Sequence, residues 1–343
     1  MKIATIPGLL RTKKNTDKRI LAFFQAQKKN CQTEATRGLH AALQEFSLRG
    51  GKRLRPFLFL LGYRFSGGTE NNAVYDVATA LEIMHTAALI HDDYIDNDTL
   101  RRGKSTFHLH EKTKDAKRTR ALEAGNMLMG MGMQLLIESD FPAETKVSVV
   151  QKFSNRIFLT AFGEAMDLYH SFSFVPGRAV IEKILRLKTA QYTASGPLTL
   201  GSFLAGGSKK EQELLETIGE NIGMAFQLAD DALGAAGTEA TGKNLGSDFR
   251  EGKPTLLLQE AWKKMSAAEK FQATTLMKHA TLRNKDILQL RHLFLSKVGG
   301  ADINILAQTF AKKAKAMIHQ LSAPEDVKQD FLSIAEFATH RTL

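Results

Sequence analysis

Residues 72–99 read as one long helix with little polar face, and that helix ends on acid: Asp92, Asp93 and Asp96 close the run Leu89-Ile90-His91-Asp92-Asp93-Tyr94-Ile95-Asp96. Asp92 and Asp96 stand four apart, so both carboxylates project from one helical face, one turn apart. Like charges that close repel. A second pair, Asp230-Asp231, closes another apolar helical run, again with no basic residue three or four positions away. Two acidic helix ends in search of positive charge fit a shared divalent cation. A hard ion such as Mg²⁺ takes oxygen ligands, uses one or two carboxylates, and is completed by water and substrate phosphate. A phosphorylated ligand follows.

Around these ends the chain is patterned for helices almost throughout, and period-2 alternation is nearly absent, so the fold class is all-α. Helices are expected over 16–48, 57–65, 72–99, 119–137, 142–173, 178–196 and 208–235, with amphipathic helices beyond 252 to Leu343. Gly50-Gly51, Gly67-Gly68, Pro176-Gly177 and the glycine- and charge-rich stretch Gly237 to Gly252 are the breaks. No repeat period points to a solenoid. The 343 residues exceed most single cores, yet no composition shift marks a linker. Residues 1–15 therefore read as a basic N-terminal tail and 16–343 as a single all-α domain. Met127, Met129, Met131 and Met133, with Leu128, Leu135 and Leu136, read as core packing.

The formal charge of +11 favours anionic partners. Aromatic residues are mostly Phe and do not alternate with basic ones, so no nucleic acid is expected. Cys31 is the single cysteine, which excludes an internal disulfide and fits a reducing, cytoplasmic location. No apolar run is read as reaching the roughly 18 residues of a membrane span, and Pro7 and Gly8 interrupt any signal-type start. Gly237-Thr-Glu-Ala-Thr-Gly242-Lys243 resembles a phosphate-cradling loop, but Asn244 replaces the Ser or Thr and no strand precedes it. His108, His110 and Glu111 sit together without a zinc spacing and read as solvated.

Cations stand at unusual places beside the acidic ends. Lys52 and Arg55 adjoin the glycine break, Arg101 and Arg102 follow the acidic helix, and Lys243, Arg250 and Lys253 lie downstream. Arg forks match phosphate oxygens and Lys offers a point charge. With Mg²⁺ they could neutralise two diphosphates; taken singly, each also fits a solvated surface charge.

These segments together resemble the trans-isoprenyl diphosphate synthases, the polyprenyl synthetase family. The likeness rests on Gly50-Gly51-Lys52-Arg53-Leu54-Arg55-Pro56, on Leu89 through Gly103, on Lys188-Thr189-Ala190, on Gln227 with Asp230-Asp231, and on Gly242-Lys243 through Lys253. The resemblance implies long, mostly antiparallel helices around a deep central cavity. It implies three Mg²⁺ ions held by Asp92, Asp96 and Asp230, with Asp93, Asp231 and Asp248 as supporting or undecided residues. It assigns Arg101, Lys188, Lys243 and Lys253 to an allylic diphosphate, and Lys52, Arg55, His85 and Arg102 to isopentenyl diphosphate. Thr189 and Gln227, with Lys188, fall near the reacting carbon. Ionisation of the allylic diphosphate, attack by the isopentenyl double bond and proton loss to the departed diphosphate then build an all-trans chain.

Two positions depart from the family pattern. Gly234 stands where the second motif usually ends in Asp, and Gly125-Asn126 where relatives often carry Gly-Asp. Ala87 and Ala88, just before the first motif, are small where short-chain members often place an aromatic ring, which points to a medium or long product of six to eight isoprene units. Close helix packing is the other reading of both alanines. A homodimer is expected, with a heteromer possible and transient membrane-surface contact for product release. A non-catalytic, partner-dependent subunit of a heteromeric synthase is the alternative; a terpene cyclase fits less well, because Lys52 and Arg55 imply a second diphosphate.

Overall fold

The structure is a computed structural model that describes residues 6–171, 176–236, 249, 252–277, 283–298 and 300–339. The chain divides into two compact units. One comprises Ile3–Phe153 with Pro197–Gln212; the other comprises Ser154–Gly196 and Glu213–Leu343.

Helix α1 spans Pro7–Gln27, α2 Glu34–Leu48, α3 Leu54–Phe65, α4 Asn72–Ile95 and α5 Lys114–Glu138. The tail expected over 1–15 is thus helical from Pro7. Proline is tolerated at a first helical position, and Leu9, Thr12, Thr16, Ile20 and Phe23 recur at spacings of three or four to give one buried stripe. Asn71 caps α4 by accepting a hydrogen bond from the Val74 N–H at 2.9 Å. This helix is apolar on nearly every side. It is long and apolar enough to cross a membrane by length and composition, which the sequence reading missed, yet 72% of the relevant window is buried inside the molecule. Its Ile83, Ala87 and Ile90 form a core with Phe24 of α1, Phe46 of α2 and Leu128 of α5. Burying each of these Ile, Leu and Phe side chains stabilises by roughly 1.5–3 kcal/mol.

On α5 the methionines fall at every second position, roughly 200° apart around a helix, so the four form no single stripe: Met127 and Met131 fall on one side, Met129 and Met133 on the other. Met129 and Met131 pack at the core edge while Met127 is exposed. After α4 the chain makes a small hairpin, β1 (Leu100–Arg101) and β2 (Lys104–Ser105), paired antiparallel with Leu100 opposite Ser105. Arg102 (φ 54°) and Gly103 (φ 76°) form its turn, the left-handed pair that suits a two-residue hairpin loop.

Helices α6 (Ala143–His170), α8 (Gly196–Leu204) and α9 (Lys209–Ala236) follow, with α7 (Arg178–Leu185) between the first two. Between α7 and α8, Arg186–Ser195 is a π-helix, where one continuous α-helix was expected over 178–196. The remaining helices are α10 (Leu256–Lys264), α11 (Ala267–Met277), α12 (Asn284–Leu295), α13 (Gly300–His319) and α14 (Glu325–Phe337). Leu228 of α9, Leu257 of α10 and Phe294 of α12 are buried in one cluster with Ala190 of the π-helix.

Candidate active site

The unit built on α4 holds the first set of site residues. At the glycine break, Gly50 (φ 99°), Gly51 (φ 111°) and Arg53 (φ 54°) are left-handed, which turns the chain sharply into α3. The turn sends neighbouring cations in different directions. Arg53 points inward and is fully buried: its Nε donates to Asp17 of α1 at 2.7 Å, Nη1 to Glu82 of α4 at 2.8 Å and Nη2 to the Ser47 carbonyl at 2.8 Å. No role is legible for it in the sequence, since a run of cations does not show which one faces the core.

Arg102, in the hairpin turn, donates from Nη1 to the Gly50 carbonyl at 2.6 Å. A Cβ on Gly51 would lie 2.6 Å from Arg102 Nη2 and push this guanidinium aside, and the left-handed backbone there favours glycine in any case. Burial, and then the Arg53, Arg101 and Arg55 charges, draw Arg102 below its usual value against the pull of Glu82. Burial, and then Arg55, Arg102, Arg101 and Arg53, hold His85 well below the ordinary histidine range and therefore neutral at pH 7. Arg53 and Arg101 are offset by carboxylates, so Arg102 is the cation here whose charge its surroundings disfavour, and an anion beside it would relieve that.

Arg101 turns to the acidic end of α4. Its Nε donates to Asp93 Oδ1 at 2.5 Å and its Nη2 to Asp98 Oδ2 at 3.0 Å, with Asp92 Oδ2 at 3.6 Å. Burial opposes the Arg101 charge, and Asp93, Asp92 and Asp98 more than offset it, raising its value. Burial, opposed by Arg101 and reinforced by Asp92 and Asp98, pushes the Asp93 carboxyl up to about 6. Asp93 is thus the inward partner of Arg101, whereas Asp92 and Asp96, four apart, are only partly buried.

Among the described residues no three His, Cys, Asp or Glu side chains lie within reach of one metal ion. Asp92 and Asp96 nevertheless offer two hard oxygen donors one turn apart, a set that suits an ion completed by phosphate and water. His108, read as solvated, is instead 4% exposed and packs edge-on against Tyr94 at 5.5 Å. Ala87 has no exposed surface and sits in the α1–α2–α4–α5 core, so its small size serves helix packing; Ala88 keeps some exposure. Gly125 makes room for His91, whose Nε2 would lie 2.0 Å from an added Cβ, and Asn126 beside it is exposed.

The other unit holds Lys188, Thr189, Gln227, Asp230, Asp231 and Lys253. Lys188 and Thr189 lie on the π-helix, a geometry frequent at functional sites. Three glycines admit that segment: an added Cβ would meet Lys188 N at 2.4 Å from Gly163, Ser195 Cα at 2.4 Å from Gly219 and Ala190 Cα at 2.5 Å from Gly223. The Gly219-x-x-x-Gly223 spacing was a visible signal of close helix approach that the sequence reading passed over. Lys188 Nζ lies 2.6 Å from Asp167 Oδ2 and 2.7 Å from Glu164 Oε2. Gln227 donates to Asp231 Oδ1 at 2.7 Å along α9, so Asp231 orients Gln227 while Asp230 is the more exposed of the acidic pair. Lys243 and Asp248 lie outside the described residues, and Gly234 is in the last turns of α9.

A family model described as Polyprenyl synthetase matches residues 36–293. A geranylgeranyl diphosphate synthase of Sulfolobus acidocaldarius is 29% identical over 308 residues, 88% of this chain and 91% of that protein. A farnesyl diphosphate synthase of Escherichia coli is 36% identical over 236 residues, 65% of this chain and 76% of that protein. Among solved structures, a geranylgeranyl pyrophosphate synthase from Corynebacterium glutamicum, complexed with isoprenyl diphosphate and magnesium, superposes with a TM-score of 0.86 at 27% identity. That match covers 97% of this chain and 99% of the other.

Proposed function

Because the chain belongs to the polyprenyl synthetase family, we propose that it is a Mg²⁺-dependent prenyltransferase that condenses isopentenyl diphosphate with an allylic diphosphate. The observation that carries this reading is the cluster of Arg55, Arg101 and Arg102 around a neutral His85, beside the carboxylate pair Asp92 and Asp96.

Lys52, Arg55, His85 and Arg102 hold the diphosphate of the nucleophilic substrate. A neutral His85 donates or accepts one hydrogen bond without adding to the surrounding positive charge. Asp92 and Asp96, with Asp230 by family likeness, are the metal ligands, and bound Mg²⁺ supplies charge neutralisation of the leaving diphosphate. Arg101, Lys188, Lys243 and Lys253 bind that diphosphate, where negative charge grows as the carbon–oxygen bond breaks. To do so, Arg101 exchanges part of its pairing with Asp93 and Asp98 for phosphate oxygens. Thr189 and Gln227 orient their dipoles toward the allylic cation. The isopentenyl double bond attacks that cation, and the proton leaves to the departed diphosphate.

The product is a medium or long all-trans polyprenyl diphosphate; the support is Ala88, small and partly exposed four residues before Asp92. The chain works as a homodimer. In support, α6 exposes Phe158 (57%), Phe162 (51%) and Tyr169 (81%) along one face, the first two rings in edge contact at 4.8 Å. The deciding experiment is mass spectrometry of products made by the pure chain with Mg²⁺ and both substrates. Polyprenyl diphosphates formed by the chain alone support the reading. No turnover until a second protein is added would favour the partner-dependent subunit, with Gly234 as its mark.

A further inference from the structure

The segment Gly163-Glu164-Ala165-Met166-Asp167 has no part in the roles above, yet it meets Lys188 at three points. At Gly163 the α6 backbone touches the π-helix so closely that an added Cβ would lie 2.4 Å from Lys188 N and 2.9 Å from Lys188 Cα. Glu164 and Asp167 then stand three apart on α6, on neighbouring positions of its surface. Their oxygens lie 2.7 and 2.6 Å from Lys188 Nζ. Asp167 is 7% exposed, so little water competes for that contact.

We propose that Asp167, assisted by Glu164, is a positioning residue that fixes the Lys188 ammonium before substrate arrives, with Gly163 setting the distance between the two helices. The proposal rests on the assignment of Lys188 to the allylic diphosphate. A lysine ammonium swings on a flexible four-carbon stem. Two carboxylates and a backbone contact hold it in one place, so that it need not be found and oriented while the leaving group is gaining charge. Misplacement of such a group by about 1 Å costs roughly 10²-fold in rate, and the loss falls on kcat when the interaction strengthens in the transition state.

The test uses the full chain with Mg²⁺ and both substrates, comparing Asp167→Asn, Asp167→Glu, Glu164→Gln and Lys188→Ala singly, and Asp167→Asn combined with Lys188→Ala. Asp167→Asn is expected to lower kcat about 10- to 100-fold while the KM for the allylic diphosphate moves less than about threefold. Asp167→Glu should recover most of the loss, and Glu164→Gln should show a smaller one. In the Lys188→Ala background Asp167→Asn should add less than about twofold, the mark of two residues acting as one unit. A full additional loss on top of Lys188→Ala overturns the positioning role. So does an unchanged kcat in both carboxamide variants while Lys188→Ala is crippled. Lys188→Ala with unchanged turnover sinks the assignment of Lys188 itself. Circular-dichroism melting checks each variant; should Asp167→Asn not fold, Glu164→Gln and Asp167→Glu carry the same kinetic comparison.

Discussion

Positive charge is handled in opposite ways around His85 and around Lys188. Around His85, Arg55, Arg101, Arg102 and Arg53 crowd one neutral ring, and burial with mutual repulsion draws Arg102 below its ordinary value. Around Lys188 a single ammonium has two carboxylates, Asp167 and Glu164, within 2.7 Å. In the first region the carboxylates are taken up by Arg53 and Arg101 while Arg102 donates to the Gly50 carbonyl; in the second two carboxylates meet one ammonium. A guanidinium drawn below its ordinary value by burial and neighbouring cations is pre-formed for an anion that arrives and leaves intact. A lone cation held by carboxylates is pre-formed for position, as suits a group facing charge that develops during reaction. The contrast matches the proposed division between a diphosphate that remains on the nucleophile and one that departs.

The largest expected effect is that of the metal. With EDTA turnover should fall to background and return with Mg²⁺, and Asp92→Asn should lose about 10³-fold in kcat. Full turnover in EDTA would leave the acidic end of α4 with the single function of holding Arg101. Next comes Arg53, which the contrast treats as structural despite its place in the cation cluster. Removing one partner of a buried ion pair costs about 3–5 kcal/mol. Arg53→Met should therefore lower the urea-unfolding stability by about that much, while Lys52→Met, one position away, stays within about 1 kcal/mol. Equal losses at both positions would mean that the loop has no inward and outward cation.

That distinction marks where sequence stops being informative. Asp92 and Asp96 were legible because their spacing alone puts them on one helical face. Asp93 was not, because only the path of the following hairpin shows that Arg101 folds back onto it. Arg53 depends on one left-handed residue that no periodicity reveals. The π-helix escaped for a similar reason: an apolar pattern over 178–196 fits either helix, and the signal lay in its neighbours, Gly163, Gly219 and Gly223. Ala87 and Ala88 looked equivalent in sequence, yet one helical step of about 100° puts Ala87 in the core and leaves Ala88 partly exposed.

Arg102→Gln directly probes the side where cations crowd His85. Hydrogen bonds to charged groups contribute about 1.5–3 kcal/mol, so the KM for isopentenyl diphosphate should rise roughly 10- to 100-fold with kcat less affected. A fall in KM would show that relief of repulsion outweighs the lost contact and would reverse the reading of the cluster.

The smallest net effect is expected from acid, because two neighbouring groups oppose one another. His85 has a folded value well below its ordinary 6.5, so the unfolded chain binds its proton more readily, and stability is lost as pH falls through 6.5. Asp93 is pushed up from 3.8 to about 6, so the folded chain binds its proton more readily, and stability is gained as pH falls from about 6 toward 3.8. Between those limits the two contributions partly cancel. Unfolding in urea at several pH values, with chelator present so that Asp92 carries no ion, separates them by difference from the parent. Asp93→Asn removes the gain, so its stability relative to the parent should decline as the pH is lowered from 6 to 4. His85→Gln removes the loss, so its relative stability should climb once the pH drops below 6.5. Parallel profiles for the parent and both variants would show that neither group titrates with folding, and that the crowded cations of this region leave no electrostatic trace in the stability of the chain.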